Sequence, residues 1–208
     1  MEHIDKRKVW CSFFSQTGTE ILEISRKVGR FPDLIITNKS STKNVNKELL
    51  KYAPEIKFVP NKFWSLGGAS YFELLKDFSP ENTIITLNGW LKIIPEGVCR
   101  SWEMYNGHPG LITKYPELKG RDPQIRAFLG DYETAGCVIH RVDPGVDEGK
   151  IIKEVELELF RSAINSFSTE PEETERRAFE ILHDASVDLW THFLFEKLKM
   201  EINKKGDE

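Results

Sequence analysis

The sequence predicts an α/β fold: a doubly wound, mostly parallel sheet with a long C-terminal helix. Three observations carry that expectation. Short apolar runs recur at 9–14, 34–37, 56–59 and 83–87. Segments with helical spacing of apolar residues lie between them, and residues 170–198 hold such a pattern to near the end of the chain. Strands that are apolar on both sides belong to sheets covered by helices on both faces. Right-handed crossovers between such strands give a doubly wound sheet, whose ligands sit beyond the carboxyl ends of its strands. The turns at 15–19 and 88–95 are therefore the first places to look for a site.

The first run, Val9-Trp10-Cys11-Ser12-Phe13-Phe14, ends in Ser15-Gln16-Thr17-Gly18-Thr19. Ile21, Ile24 and Val28 then share one face of a helix. Pro32 precedes the strand at 34–37, a short helix is expected over 44–52, and a third strand over 56–59. Tyr71, Phe72, Leu74, Leu75 and Phe78 give residues 70–78 a wide apolar face, and 83–87 is the fourth strand. Met104-Tyr105-Asn106 reads as a strand and 107–123 as a loop rich in Gly, Pro, Lys and Arg. A helical turn at 125–129 and strands at 136–142 and 151–159 follow. Residues 170–198 form one long helix or two: Pro171, Glu172 and Glu173 suit its start, Lys197 and Lys199 its end. The tail 203–208 is expected to fray. No repeat or linker divides the 208 residues, which read as a single domain.

Apolar residues make up 39% of the chain and aromatics 11%, too much for a disordered protein. With 29 basic and 33 acidic side chains the net charge is −4, which argues against duplex nucleic acid as a partner. The cysteines Cys11, Cys99 and Cys137 form no pair at close spacing, which speaks against a disulfide framework. No secretory h-region and no run of about 18 apolar residues is visible, so a cytoplasmic protein without membrane contact is expected. A homodimer is left open.

Three segments could carry chemistry. Asn106-Gly107-His108-Pro109 sets an amide and an imidazole two residues apart, on one side of an extended segment. Two such groups donate together to an oxyanion, although alone the tetrapeptide reads as an ordinary turn. Asp143-Pro144-Gly145-Val146-Asp147-Glu148-Gly149 offers carboxylates in a glycine-punctuated loop, one of which could accept a proton; the plainer reading is a polar hairpin. No metal is expected there, since the calcium-loop pattern is missing. Thr17, Gly18 and Thr19 stand where a strand meets a helix, either as an anion seat or as helix caps. The turn matches neither dinucleotide nor Walker loops. His3, His140 and His192 read as surface or strand residues, and Trp64, Trp102 and Trp190 as packing.

In order, these pieces resemble a known family. Leu87-Asn88-Gly89-Trp90-Leu91-Lys92-Ile93-Ile94-Pro95, Asn106-Gly107-His108-Pro109-Gly110-Leu111, Lys114-Tyr115-Pro116, Gly120, Glu133-Thr134-Ala135-Gly136 and residues 143–152 together are similar to the 10-formyltetrahydrofolate-dependent formyltransferases, in particular the glycinamide ribonucleotide (GAR) transformylase-like domain. The likeness is dense over 84–152, weaker over 9–38 and faint after 160. It implies a Rossmann-like fold and Asn106, His108 and Asp147 as catalytic residues. It implies that Gly89, Trp90, Leu91, Lys92, Ile93 and Ile94 line a folate pocket with their backbone, closed by the loop carrying Asp143 and Val146. It also implies that Thr17, Gly18 and Thr19 face the acceptor. The implied cosubstrate is 10-formyltetrahydrofolate and the implied acceptor a small phosphorylated or nucleotide-linked primary amine, most like GAR, as in purine biosynthesis.

The acceptor side departs from the GAR pattern. Glu20 replaces an Asn at the turn that holds phosphate in GAR transformylases, and Leu182 stands where an acid precedes the histidine matched by His183. Sugar-nucleotide N-formyltransferases are the alternative, with Trp64 and Trp102 as candidate stacking surfaces. A folate-binding protein without turnover and a formate-releasing hydrolase are further ones. A methionyl-tRNA acceptor is disfavoured, because the chain has no length for an added RNA-binding domain and is acidic.

Overall fold

The computed structural model describes residues 7–158, 160–165 and 170–199. The expected frayed tail at 203–208 and residue 159 of the last expected strand lie outside them. Among these residues seven strands form one sheet in the order β3-β2-β1-β4-β5-β6-β7. They are β1 (Val9–Phe14), β2 (Leu34–Thr37), β3 (Ile56–Phe58), β4 (Thr83–Leu87), β5 (Glu103–His108), β6 (Ala135–Arg141) and β7 (Ile151–Leu157). The first five are mutually parallel, whereas β6 pairs antiparallel with β5 and β7 antiparallel with β6. The antiparallel edge follows from the short connection between β6 and β7, which is too brief for a crossover. β7 alternates half-buried and exposed residues, as an edge strand with one wet face should.

Helices α1 (Thr19–Val28) and α7 (Pro171–Lys197) cover one face. Their apolar residues Ile24, Val28, Val187, Trp190, Phe193 and Leu194 pack on Trp10, Ile84, Tyr105 and Ile139 of the strands. α2 (Lys47–Tyr52) packs beside α1 through Leu49 against Ile21, Phe14 and Ile35. The opposite face is closed by α3 (Gly68–Leu75) and α4 (Glu96–Ser101), over a core containing Phe13, Ile85, Met104, Trp64, Tyr71, Trp90 and Trp102. α5 (Pro123–Leu129) and α6 (Phe160–Asn165) complete the C-terminal half. No described helix is long and apolar enough to cross a membrane.

Two details differ from expectation, and one open alternative is decided. β5 runs on to His108, because Gly107 and His108 pair with Ile139 and Val138 of β6. Residues 170–198 yield one unbroken helix of 27 residues. α4 was not legible, since six residues with Val98 and Cys99 buried make too short a periodic pattern. The tryptophans settle as packing residues. Trp64 is 9% exposed and lies with ring centroids 5.0 Å from both Tyr71 and Trp90, and Trp102 is 4% exposed. Neither offers a stacking surface.

Candidate active site

Strand alternation builds the site. Tyr105 and Gly107 of β5 face α7, so Asn106 and His108 project from the other side of the sheet. Asn106 lies opposite Leu87 of β4 and His140 of β6. The loop after β6 starts with Val142 N–H donating to the Met104 carbonyl (3.0 Å), and Arg141 N–H donates to the Lys150 carbonyl (2.8 Å), which closes the loop. Asp143 Oδ1 takes the Gly145 N–H at 3.1 Å, an Asx turn that starts the reversal. Asp147 then sits at φ 54°, a left-handed conformation that aspartate tolerates better than most residues. This turn points its carboxylate back over β5 and β6.

Both Asp147 oxygens are engaged. Oδ1 lies 3.3 Å from Asn106 Nδ2 and 3.3 Å from His140 Nε2, and Oδ2 lies 3.2 Å from His108 Nδ1 and accepts the Gly120 N–H at 3.0 Å. Gly120 has φ 83°, so the turn that presents this N–H requires glycine. His108 Nε2 lies 2.9 Å from the Leu118 carbonyl. With acceptors at both nitrogens, His108 makes both hydrogen bonds only as the doubly protonated ring. His140 Nδ1–H donates to the Arg141 carbonyl (2.9 Å), which leaves Nε2 facing Asn106 Nδ2 at 3.1 Å and the Asp147 carboxylate. Neutral, that nitrogen accepts from the amide; protonated, it donates to Asp147. His108, His140 and Asp147 are 5%, 3% and 9% exposed, so the cluster works out of bulk water.

Burial alone would push the Asp147 carboxyl up. Hydrogen bonds from His108 and His140, the charge of His108 and the Gly120 N–H overcome it and hold the carboxyl well below the usual carboxylate range. A depressed folded-state pKa means stability that is present above the unfolded value and lost as pH falls toward the folded one. Between about pH 5 and pH 3, around the ordinary Asp value, the unfolded chain binds this proton and the folded chain does not. Wild-type unfolding free energy should therefore fall more steeply across that window than that of Asp147→Asn. Urea titrations at stepped pH check this, and equal slopes would contradict it.

Behind β5 a tryptophan fills the place of a missing side chain. A Cβ on Gly107 would meet Trp190 Nε1 at 2.4 Å and Cε2 at 2.9 Å. The indole is fully buried and its N–H has no hydrogen-bond partner among the described residues. α7 thus rests directly on the residue between Asn106 and His108.

The turn at residues 15–19 lies at the carboxyl end of β1. Gly18, at φ 75°, is the N-cap of α1 and has no side chain to cap with. Capping by Thr17 or Thr19, one of the two readings of this turn, does not occur; Thr19 N–H instead donates locally to Thr17 Oγ1 (3.3 Å). Thr17 and Thr19 line an open concavity of about 710 Å³ with residues 44–47. Glu20 does not point freely into this turn: Asn88 Nδ2 (2.9 Å) and Ser186 Oγ (2.7 Å) donate to its two oxygens. The bonds continue inward from Asn88 Oδ1 to Ser12, Thr86 and the Trp10 N–H.

A family model described as formyl transferase matches residues 21–178, most of the chain and all of Asn106, His108, Gly120, His140 and Asp147. The chain belongs to the formyl transferase family. Among curated relatives, it is 24% identical over 128 residues to the phosphoribosylglycinamide formyltransferase of Bacillus subtilis, covering 61% of this chain and 64% of the relative. It is 28% identical over 122 residues to the trifunctional purine biosynthetic protein adenosine-3 of Drosophila melanogaster, covering 57% of this chain and 9% of that protein. The matched segments span less than two thirds of both relatives. The fold is that of the glycinamide ribonucleotide transformylase 1 structure from Geobacillus kaustophilus, at TM-score 0.72 and 22% identity, over 92% of this chain and 99% of that one.

In this member of the family the other expected residues divide by where their side chains lie. Ser15 N–H donates to the Gly89 carbonyl (3.1 Å) and Leu91 N–H to Ser15 Oγ (3.0 Å), tying the segment after β4 to the first turn. Leu91, Ile93 and Val146 are 72%, 73% and 57% exposed, so apolar side chains stand ready at this rim. Trp90 and Ile94 point into the core instead, Trp90 donating to Tyr71 Oη at 3.3 Å, and only their backbone can face a ligand. Lys92 is half-buried. Leu182 is 1% exposed and packs on Cys137 and Phe160, so its replacement of an acid reflects a core position. His183 pairs with Glu23 of α1. His140, read from sequence as a surface or strand residue, does lie on a strand, β6, but is buried and a member of the cluster. The readable signal was a polar residue inside the apolar run 136–142.

Proposed function

We propose that this chain transfers the formyl group of 10-formyltetrahydrofolate to a primary amine, residues 1–208 forming one catalytic domain. The observation that carries the reading is the convergence of Asn106, His108 and Asp147 at one buried point. The neutral amine attacks the formyl carbon, and the carbonyl electron pair moves onto oxygen. Asn106 and the His108 imidazolium donate to that oxyanion. When His140 carries its second proton and donates to Asp147, an Asn106 amide hydrogen is released for this task. The proton lost by the amine passes to N10 of the folate through water held at Asp147, the carbon–N10 bond breaks, and tetrahydrofolate leaves beside the formamide. Backbone groups of 89–94 hold the folate, with Leu91, Ile93 and Val146 against its ring and Asp143 shaping the loop. No step draws on a metal.

The acceptor sits toward Thr17, Gly18 and Thr19, and the relatives favour a phosphorylated one such as GAR, in the cytoplasm. A second acceptor class, an amino sugar carried on a nucleotide, is favoured by Glu20, whose fixed carboxylate repels a dianion at the first turn of α1. Glu20→Asn should raise kcat/KM for GAR by roughly tenfold, the effect of relieving about 1.4 kcal/mol of like-charge repulsion. Steady-state assays of both proteins with GAR decide it. An unchanged ratio would mean that phosphate does not approach Glu20.

A further inference from the structure

We infer that Arg126 is a positioning residue for the His108 donor, an assignment that rests on the formyl-transfer reading and adds a group to it. The segment after β5 closes as a short 3-10 turn (Pro116–Leu118) and reaches Gly120. Arg126 of α5 donates to three successive carbonyls of this strap: Nη1 to Glu117, and Nη2 to Leu118 (2.8 Å) and Lys119 (2.7 Å). The Leu118 carbonyl also accepts His108 Nε2–H at 2.9 Å, and two residues on, the Gly120 N–H meets Asp147 Oδ2. One guanidinium thus fixes the peptide that touches both residues.

The sharing at Leu118 has a chemical consequence. In the structure both His108 N–H groups are occupied, so one must be given up to an oxyanion. Nδ1–H faces a carboxylate, a charge-assisted bond about twice as strong as one to a neutral carbonyl. Nε2–H is therefore the donor that His108 releases. Without Arg126, releasing it would orphan the carbonyl of Leu118, a residue 1% exposed, and a buried acceptor without a donor is costly. Arg126 Nη2 stays on that oxygen throughout. It keeps the carbonyl satisfied when His108 turns away, and by sharing that oxygen it lowers what His108 loses on breaking its own bond. A purely structural cap of the turn would not need to share its acceptor with His108.

The test uses Arg126→Met and Arg126→Lys in the full chain, with Asn106→Ala as a reference. Arg126→Met should lower kcat at least about tenfold, with KM for both substrates held within about twofold. Arg126→Lys, which keeps the charge but spans fewer carbonyls, should fall between it and wild type. Free guanidinium at low millimolar concentration should restore part of the kcat of Arg126→Met and none of that of Asn106→Ala. Unchanged kcat, or kcat and KM moving together with a lower Tm and no rescue, overturns the assignment. A readout independent of turnover is the ¹⁵N resonance pair of the His108 ring. Arg126→Met should shift Nε2 and leave Nδ1 in place, and an unmoved Nε2 overturns the assignment. If wild type releases no tetrahydrofolate with any amine, the formyl-transfer reading fails, while the ring resonances still decide whether Arg126 bears on His108.

Discussion

His108→Ala, Asn106→Ala and Asp147→Asn each lower kcat by at least about 100-fold, the cost of removing one preorganised oxyanion donor. The three losses have different origins. His108→Ala removes the donor and leaves the Asp147 carboxylate without its cation. Asn106→Ala removes the amide that faces both His140 (3.1 Å) and Asp147 (3.3 Å). Asp147→Asn keeps the volume but cannot accept from His108, His140 and Gly120 with the same charge, so the ring loses the anion that holds its Nδ1–H. Because the groups act as a unit, the double variant His108→Ala/Asp147→Asn should be little slower than the worse single one. Rapid-quench single turnovers with saturating folate separate this chemical loss from weaker binding. A double variant slowed by the product of the single effects would show that the two residues act independently.

Trp190→Ala costs about 3–5 kcal/mol of folding stability, the usual penalty for deleting a fully buried large aromatic side chain. For a domain of this size that lowers Tm by roughly 6–20 °C. The indole packs edge-on against Phe193 at 5.5 Å and lies against Gly107. Gly107→Val probes the same contact from the other side: the added carbon collides with the indole ring, and overpacking of this kind costs about 1–3 kcal/mol. Only their combination is diagnostic. If Trp190 occupies the room of a residue-107 side chain, Trp190→Ala/Gly107→Val is more stable than the sum of the single effects predicts, by about 1 kcal/mol or more. Strict additivity in urea melts would contradict the contact. Recovered kcat in the double variant would further show that the backing of β5 sets the spacing of Asn106 and His108.

Which features were legible follows from how local their causes are. β1, β2 and β4 were legible at 9–14, 34–37 and 83–87 because continuous apolar runs at a sheet centre need no partner to be recognised. Asn106 and His108 were legible because strand alternation alone puts them on one side. Asp147 was legible through the family resemblance, but its geometry was not: a left-handed residue in a loop that folds back over two strands depends on tertiary contacts. His140 was missed because its role arises from strand pairing with Asn106 across 34 residues. For Glu20 the sequence shows a carboxylate in place of an Asn at the first turn but not its partners, since Asn88 and Ser186 come from a strand end and a helix far along the chain. Gly107 carried the opposite lesson. In sequence it looked like turn punctuation, whereas it serves as room for a tryptophan 83 positions later.

The central claim is formyl transfer from folate to an amine, and one measurement bears on it most directly. Purified protein is mixed with 10-formyltetrahydrofolate and, separately, with GAR, an amino-sugar nucleotide, or no amine, and tetrahydrofolate release is followed by absorbance. The account predicts release that depends on an added primary amine, yields the matching formamide, and falls by about 100-fold or more in His108→Ala. Release at the same rate without any amine would make the chain a hydrolase, and folate binding with no release under any condition would make it a binding protein; either result contradicts the account.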